Sequence, residues 1–351
     1  MKRIEIGVLI ILLAFLLCAC KTSHPDSTSK DGEKNPSTEN YIEAENHAQE
    51  ETTGNKKDKE STNNNKEKSS KVETGKSAEV SAGQYTGGQD IPVGTYILTR
   101  LDEKADSGIV WLSAPEDDLE EEYPSLLYEY VGKGDDISFF ISLQEGGILS
   151  LPFECKLTSV NYSKLKTGDS VYASAGVYTG GLDLPSGQYV LSYSSEHAGS
   201  GILWLSSATD DLTAEYPSKI YEYISKGIEG KWFISLEDGG KLSVPFPCDS
   251  IERINPYNTE KGQCELYAGY YVIGSDIPAG KYKITCKTNN ESSGIVWVSS
   301  PEDNLDEEYP SILYEYIGKN SEETFYVSVD DGGRIYLPCE AILSPGSVVF
   351  H

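Results

Sequence analysis

The sequence predicts an all-β protein: three tandem small β-sandwich (or barrel-like) domains after a disordered linker. Three observations predict it. A block recurs twice more at a step of 93 residues, with no gap from Tyr85 to Pro152. Short apolar and alternating runs are punctuated by Gly and Pro at intervals typical of sandwiches and small barrels. No segment of ten or more residues carries a sustained 3.6-residue period. The block is centred on Ser107-Gly108-Ile109-Val110-Trp111-Leu112-Ser113, which returns around Trp204 and Trp297. Its period is longer than that of solenoid repeats, so each copy can bury a core of its own.

In chain order, Met1-Lys2-Arg3 is a positive start and residues 6–17 are an apolar run. That run is short for a membrane span and has the layout of an export signal. It ends Leu17-Cys18-Ala19-Cys20, which resembles the lipobox of bacterial lipoproteins, with small Ala19 before the lipidated Cys20. Residues 1–19 are therefore expected to be a lipoprotein signal peptide. Residues 20–79 are expected to be the lipidated cysteine and a disordered tether, since the stretch is Ser, Thr, Asn, Lys and Glu with almost no large apolar side chain. As a flexible coil it would reach roughly 45 Å. The repeats are placed at 80–165, 170–257 and 264–350.

Each repeat opens on Asp-Ile/Leu-Pro-x-Gly-x-Tyr, a turn that launches a strand. In the third copy Tyr282, Ile284 and Cys286 share one face of that strand. The Gly-Ile-Val-Trp-Leu strand is apolar on both faces, as a central strand would be, with Trp111, Trp204 and Trp297 as core anchors. An acidic loop runs to Tyr123-Pro124. Leu127 to Val131 and Ile137 to Leu143 read as strands. Gly146-Gly147 suggests a tight primed hairpin bringing Ile148 to Leu151 back alongside, before the Cys155 segment closes the copy. The count is six or seven strands per copy.

The opening motif, clearest in Tyr271-Val272-Ile273-Gly274-Ser275-Asp276-Ile277-Pro278-Ala279-Gly280-Lys281-Tyr282, resembles small β domains of Gram-positive surface and secreted proteins. Copies one and two depart from it at Thr86-Gly87 and Thr179-Gly180. The resemblance implies a cell-envelope location and a small β domain, and supplies no catalytic residue.

Net charge is −27; with the +1 of the leader and the −3 of the linker set aside, residues 80–351 carry −25. This excludes nucleic acid as a partner, because phosphate binding needs clustered Lys and Arg. Cys155, Cys248, Cys264, Cys286 and Cys339 remain in the repeats. One cysteine each in the first two copies rules out a bridge within either, while Cys264 could pair with Cys286 or Cys339.

No His or Arg recurs, so the expected protein is not an enzyme: repeated active sites would repeat their machinery. The carboxylates Asp90 and Glu129 define a hydrolase alternative, in which the chain is a carbohydrate-active hydrolase or its substrate-binding accessory. A second alternative is a structural spacer without ligand. Asp117, Asp118 and Glu122 recur as Asp210, Asp211 and Glu215 and as Asp303, Asn304 and Glu308, oxygen ligands that would suit Ca²⁺. No other cofactor is expected. Tyr128 with Tyr130, Tyr221 with Tyr223, and Tyr314 with Tyr316 each lie on one side of a strand, where Tyr suits both recognition surfaces and half-buried sandwich faces. The leading expectation is a lipid-anchored cell-surface protein whose three modules bind a glycan or protein ligand.

Overall fold

The computed structural model describes residues 75–346, apart from 103, 121–122, 213–215, 256, 258–261, 288–292 and 306–307. The signal, Cys20, residues 21–74, Glu122 and Glu215 lie outside the described residues. The described residues all fall within one compact unit.

Among the described residues each copy contributes eight strands. The first holds β1 (Ser77–Val80), β2 (Gly83–Thr86), β3 (Gly94–Arg100), β4 (Gly108–Leu112), β5 (Leu127–Val131), β6 (Ser138–Leu143), β7 (Ile148–Leu151) and β8 (Cys155–Ser159). The second holds β9 (Ser170–Ala173), β10 (Gly176–Thr179), β11 (Gly187–Tyr193), β12 (Gly201–Leu205), β13 (Ile220–Ile224), β14 (Gly230–Leu236), β15 (Lys241–Val244) and β16 (Cys248–Ile254). The third holds β17 (Cys264–Leu266), β18 (Ala268–Val272), β19 (Gly280–Cys286), β20 (Gly294–Ser299), β21 (Leu313–Ile317), β22 (Thr324–Val329), β23 (Arg334–Leu337) and β24 (Ala341–Pro345). In the first copy the sheets are ordered β1-β8-β3-β6 and β2-β7-β4-β5, and the other two copies repeat the plan. Eight strands wound through two four-stranded sheets in that order make a jelly roll, so the sandwich class holds in its eight-stranded form.

The structure corrects four expectations. Strand β1 pairs with β8, so the β fold begins before the tether's expected end at residue 79. Strands β6 and β7 belong to different sheets, β7 pairing with β2 and β4. The turn between them runs Gln144 to Gly147, and Gly146 (φ +80°) is its left-handed residue. The two strands overlooked in the count, β1 and β2, are short and mostly exposed. The Gly-Ile-Val-Trp-Leu strand is central but one-sided: Val110 and Leu112 are buried while Ile109 is exposed and Trp111 half-buried.

The shared opening motif is a lock. The Asp90 carboxylate accepts the Thr86 N–H (2.8 Å), as Asp183 does from Thr179 and Asp276 from Val272. The motif tyrosine donates its hydroxyl four residues back, Tyr96 to the Pro92 carbonyl and Tyr282 to that of Pro278 at 2.6 Å, and Tyr189 likewise to Pro185. The five cysteines are free, and four are buried as small apolar side chains. Cys286 lies against Cys339, whose hydrogen bond pulls the Cys286 thiol down from its ordinary value.

Each copy has its own core, and each junction also lends a ring to the next copy. Phe140 of β6 is buried in the second core, stacked on Tyr178 at 4.0 Å. Phe233 of β14 is buried in the third, stacked on Tyr271 at 4.2 Å. Backbone pairing accompanies the rings. Phe139 bridges Ala175 in parallel, and β14 pairs in parallel with β18, which makes one eight-stranded sheet from two copies. Aspartates finish the seam: Asp183 accepts the Ser142 hydroxyl (2.6 Å), and Asp276 accepts Ser235 and Gln188 (2.8 and 2.9 Å).

Burial raises the Asp183 carboxyl above its usual range, with the Ser142 and Thr179 bonds pulling the other way. A carboxyl with a raised folded pKa stabilises fully below its unfolded value and loses that contribution as pH rises through the folded value. Asp183→Asn keeps one acceptor for Thr179 and an N–H for Ser142. Its melting temperature is therefore expected to gain on wild type between about pH 4 and neutrality. A difference that stays constant across that range would refute the assignment.

Candidate ligand-binding surface

Alternation along β4 decides which side chains face out. Val110 and Leu112 occupy the inward positions, so Trp111 and Ile109 between them point away from the core. The same pattern holds in β12 and β20, and it overturns the reading of Trp111, Trp204 and Trp297 as core anchors: all three are only half-buried. Each tryptophan stands opposite a tyrosine of the neighbouring edge strand, Trp111 by Tyr128, Trp204 by Tyr221 and Trp297 by Tyr314.

The six tyrosines singled out by sequence, Tyr128, Tyr130, Tyr221, Tyr223, Tyr314 and Tyr316, are 42–69% exposed. They lie on β5, β13 and β21, the outermost strands of their sheets. Three more complete the patches: Tyr123, Tyr216 and Tyr309 meet Tyr128, Tyr221 and Tyr314 edge-to-face at 5.0, 4.8 and 4.9 Å. Their signal was the Tyr-Pro pair at the same 93-residue step.

The acidic loops use their first aspartate as a brace. Asp117 accepts the N–H groups of Ala114 and Ser125, Asp210 those of Ser207 and Ser218, and Asp303 those of Ser300 and Ser311. These bonds, led by that of Ser311, hold the Asp303 carboxyl down at about 2. Asp118 accepts the Glu120 N–H at 3.1 Å, and the Asn304 carbonyl accepts that of Glu308 at 2.9 Å. Among the described residues no group of three or more His, Cys, Asp or Glu side chains is placed to hold a metal ion.

A cleft of about 420 Å³ lies between the first two copies. Pro124, Tyr128 and Glu129 line one side, and Val177, Trp204 and Ser243 line the other. Glu129 is exposed as a residue, yet crowding of its carboxyl raises its pKa. The matching place between copies two and three is filled by the chain itself. Tyr336 and Tyr270 stand where the second copy has Ser243 and Val177. Tyr336 stacks on Trp297 at 5.7 Å, Tyr270 meets it edge-on at 5.8 Å, and the Tyr336 hydroxyl donates to Glu222, the counterpart of Glu129. One junction thus shows a hydroxylated six-membered ring seated between a tryptophan and a carboxylate, and the other offers the same surfaces open.

The hydrolase alternative needs a working pair of carboxylates. Asp90 is engaged by the Thr86 N–H in its turn, while Glu129 faces the cleft. His197 contacts both Ser194 and Asp249, but both contacts use Nδ1, so the three do not form a relay from serine through imidazole to carboxylate.

No family model matches the chain, and no curated protein matches it. A solved structure described as the triple jelly roll fold and turret assembly in an archaeal virus is similar at a TM-score of 0.27 and 10% identity, covering 77% of this chain and 82% of that one.

Proposed function

We propose that this protein is a non-enzymatic lipoprotein of the bacterial cell surface, anchored through Cys20 and displaying three jelly-roll modules that bind a glycan. The observation that carries the reading is the aromatic patch present three times on outward strands: Tyr123, Tyr128 and Tyr130 with Trp111, and their counterparts in the other copies. Residues kept for core packing alone would not stand in solvent at every repeat. Tyrosine and tryptophan faces stack on the apolar faces of sugar rings and leave polar edges for hydroxyl groups. The open cleft beside Trp204 adds a site of the kind Tyr336 occupies one junction later. Three weak sites on one chain gain avidity when a polymer spans them.

The test is binding of residues 21–351 to glycan and protein arrays. Tyr130, Tyr223 and Tyr316 are then changed to Ala singly and together. The triple substitution is expected to lower apparent affinity for a polymeric glycan by about a hundredfold or more, and any single one by far less. A triple variant that binds like wild type would sink the reading, and a chain that binds nothing on either array would leave the structural spacer.

A further inference from the structure

The two internal junctions are built from one set of parts, and the two ends of the row carry the unpaired halves of that set. At each junction an aromatic ring of the sixth strand (Phe140, Phe233) is buried against a tyrosine of the next copy. A serine two residues on (Ser142, Ser235) donates to that copy's motif aspartate. The sixth strand also runs beside an Ala-Gly pair, Ala175-Gly176 or Ala268-Gly269, which is buried. Each glycine (φ +143° and +148°) allows the approach, since a Cβ there would lie 2.6 or 2.5 Å from the carbonyl oxygen of Phe140 or Phe233.

At the far end of the third copy, Tyr326 and Ser328 occupy the positions of Phe233 and Ser235, and both are exposed; Tyr326 is 64% exposed where Phe233 is fully buried. Strand β22, which carries them, is the outermost of its sheet. At the near end of the first copy, Ala82, Gly83 and Asp90 are exposed where their counterparts are buried, and β2 is likewise outermost. Gly83 keeps the junction backbone (φ +156°), but a Cβ on it would meet nothing closer than the Tyr85 ring at 3.8 Å. The seam's extra donor also has a counterpart: Gln188, which donates to Asp276, is matched by exposed Lys281 in the third copy. Lys281 would offer a cation to the Asp90 carboxylate of a following chain.

We propose that the tail of the third copy docks on the head of the first copy of a second chain, reproducing the internal junction between molecules. Strand β22 would run beside Ala82 and Gly83, Tyr326 would stack on Tyr85, and Ser328 and Lys281 would meet Asp90. Head and tail are different surfaces, so the contact is heterologous and leaves a free head and a free tail on every dimer, from which rows can grow. The association is weaker than the internal junctions, which gain from being joined in one chain.

Sedimentation velocity on residues 21–351, up to about 1 mM, tests this. Wild type is expected to rise in mean mass with concentration. Gly83→Ala blocks the head and Tyr326→Glu, at an exposed position, blocks the tail. Each variant alone is expected to stay monomeric, while an equal mixture should give a dimer and nothing larger, because one good head and one good tail remain. Ala82→Trp is a second head block should Gly83→Ala melt early. A monomeric wild type, association that survives both substitutions, or a mixture that fails to form dimers would overturn the proposal.

Discussion

Phe233→Ala is expected to cost about 3–5 kcal/mol, the usual range for emptying a buried phenylalanine site. The loss should appear in the third copy, although the residue belongs to the second. Phe233 is fully buried in the third core, with its ring nearly parallel to Tyr271 and Tyr257 tilted against both. Truncation would leave a ring-sized void at the joint and remove the stacking. Tyr326→Ala is the matched control: the position is the same within the repeat, but the side chain is exposed, so a change within about 0.5 kcal/mol is expected. Urea titration followed by tryptophan fluorescence reads both. Because the three copies need not melt together, the Phe233 variant should split off an early transition containing the third copy. Equal effects of the two substitutions would refute the account of the junction.

Gly269→Ala comes next in size. Its backbone lies at φ +148°, and an added Cβ would sit 2.5 Å from the Phe233 carbonyl oxygen, a backbone atom that cannot turn aside. Strain from the dihedral alone is of order 1–3 kcal/mol. The collision adds to it and forces β14 and β18 apart. Gly83→Ala carries a similar dihedral without the collision, so it isolates the first contribution. The expectation is a loss for Gly269→Ala exceeding that of Gly83→Ala by at least about 1 kcal/mol. Amide exchange at Ala268 and Gly269 should speed up in the former. Comparable stability of the two variants would show that the parallel seam is not tight.

The 93-residue step made the triplication readable, and the alternation Tyr282, Ile284, Cys286 made one strand face readable, because both signals are local. Burial at the joints was not readable. Phe140, Phe233 and Tyr326 hold one position in the repeat, and only the presence of a following copy decides whether the ring is covered. The tryptophans misled for another reason: Ile-Val-Trp-Leu is apolar throughout, so it lacks the polar alternation that would have turned Trp111 outward. Strands β1 and β2 escaped notice because short, exposed segments are held by partners far along the chain, Ser77 opposite Thr158 and Gly83 opposite Leu151. The exposed tyrosine pairs were found from their spacing. The tyrosines that join them, Tyr123, Tyr216 and Tyr309, needed the loop's path. Recurrence of Asp117, Asp210 and Asp303 was legible, but their bracing of the loop through backbone N–H groups eight residues on needed the loop's path.

The borrowed ring also sets an order of assembly. A polypeptide is made from its amino end, so β14 is available before β18 exists. The third copy can therefore nucleate on a finished surface that already presents Phe233. Among the described residues the first core holds no ring lent by an earlier copy, and instead takes in Ala175 of the copy made after it. A lesion in β6 of the first copy would therefore be felt in the second, through the loss of Phe140 from that core.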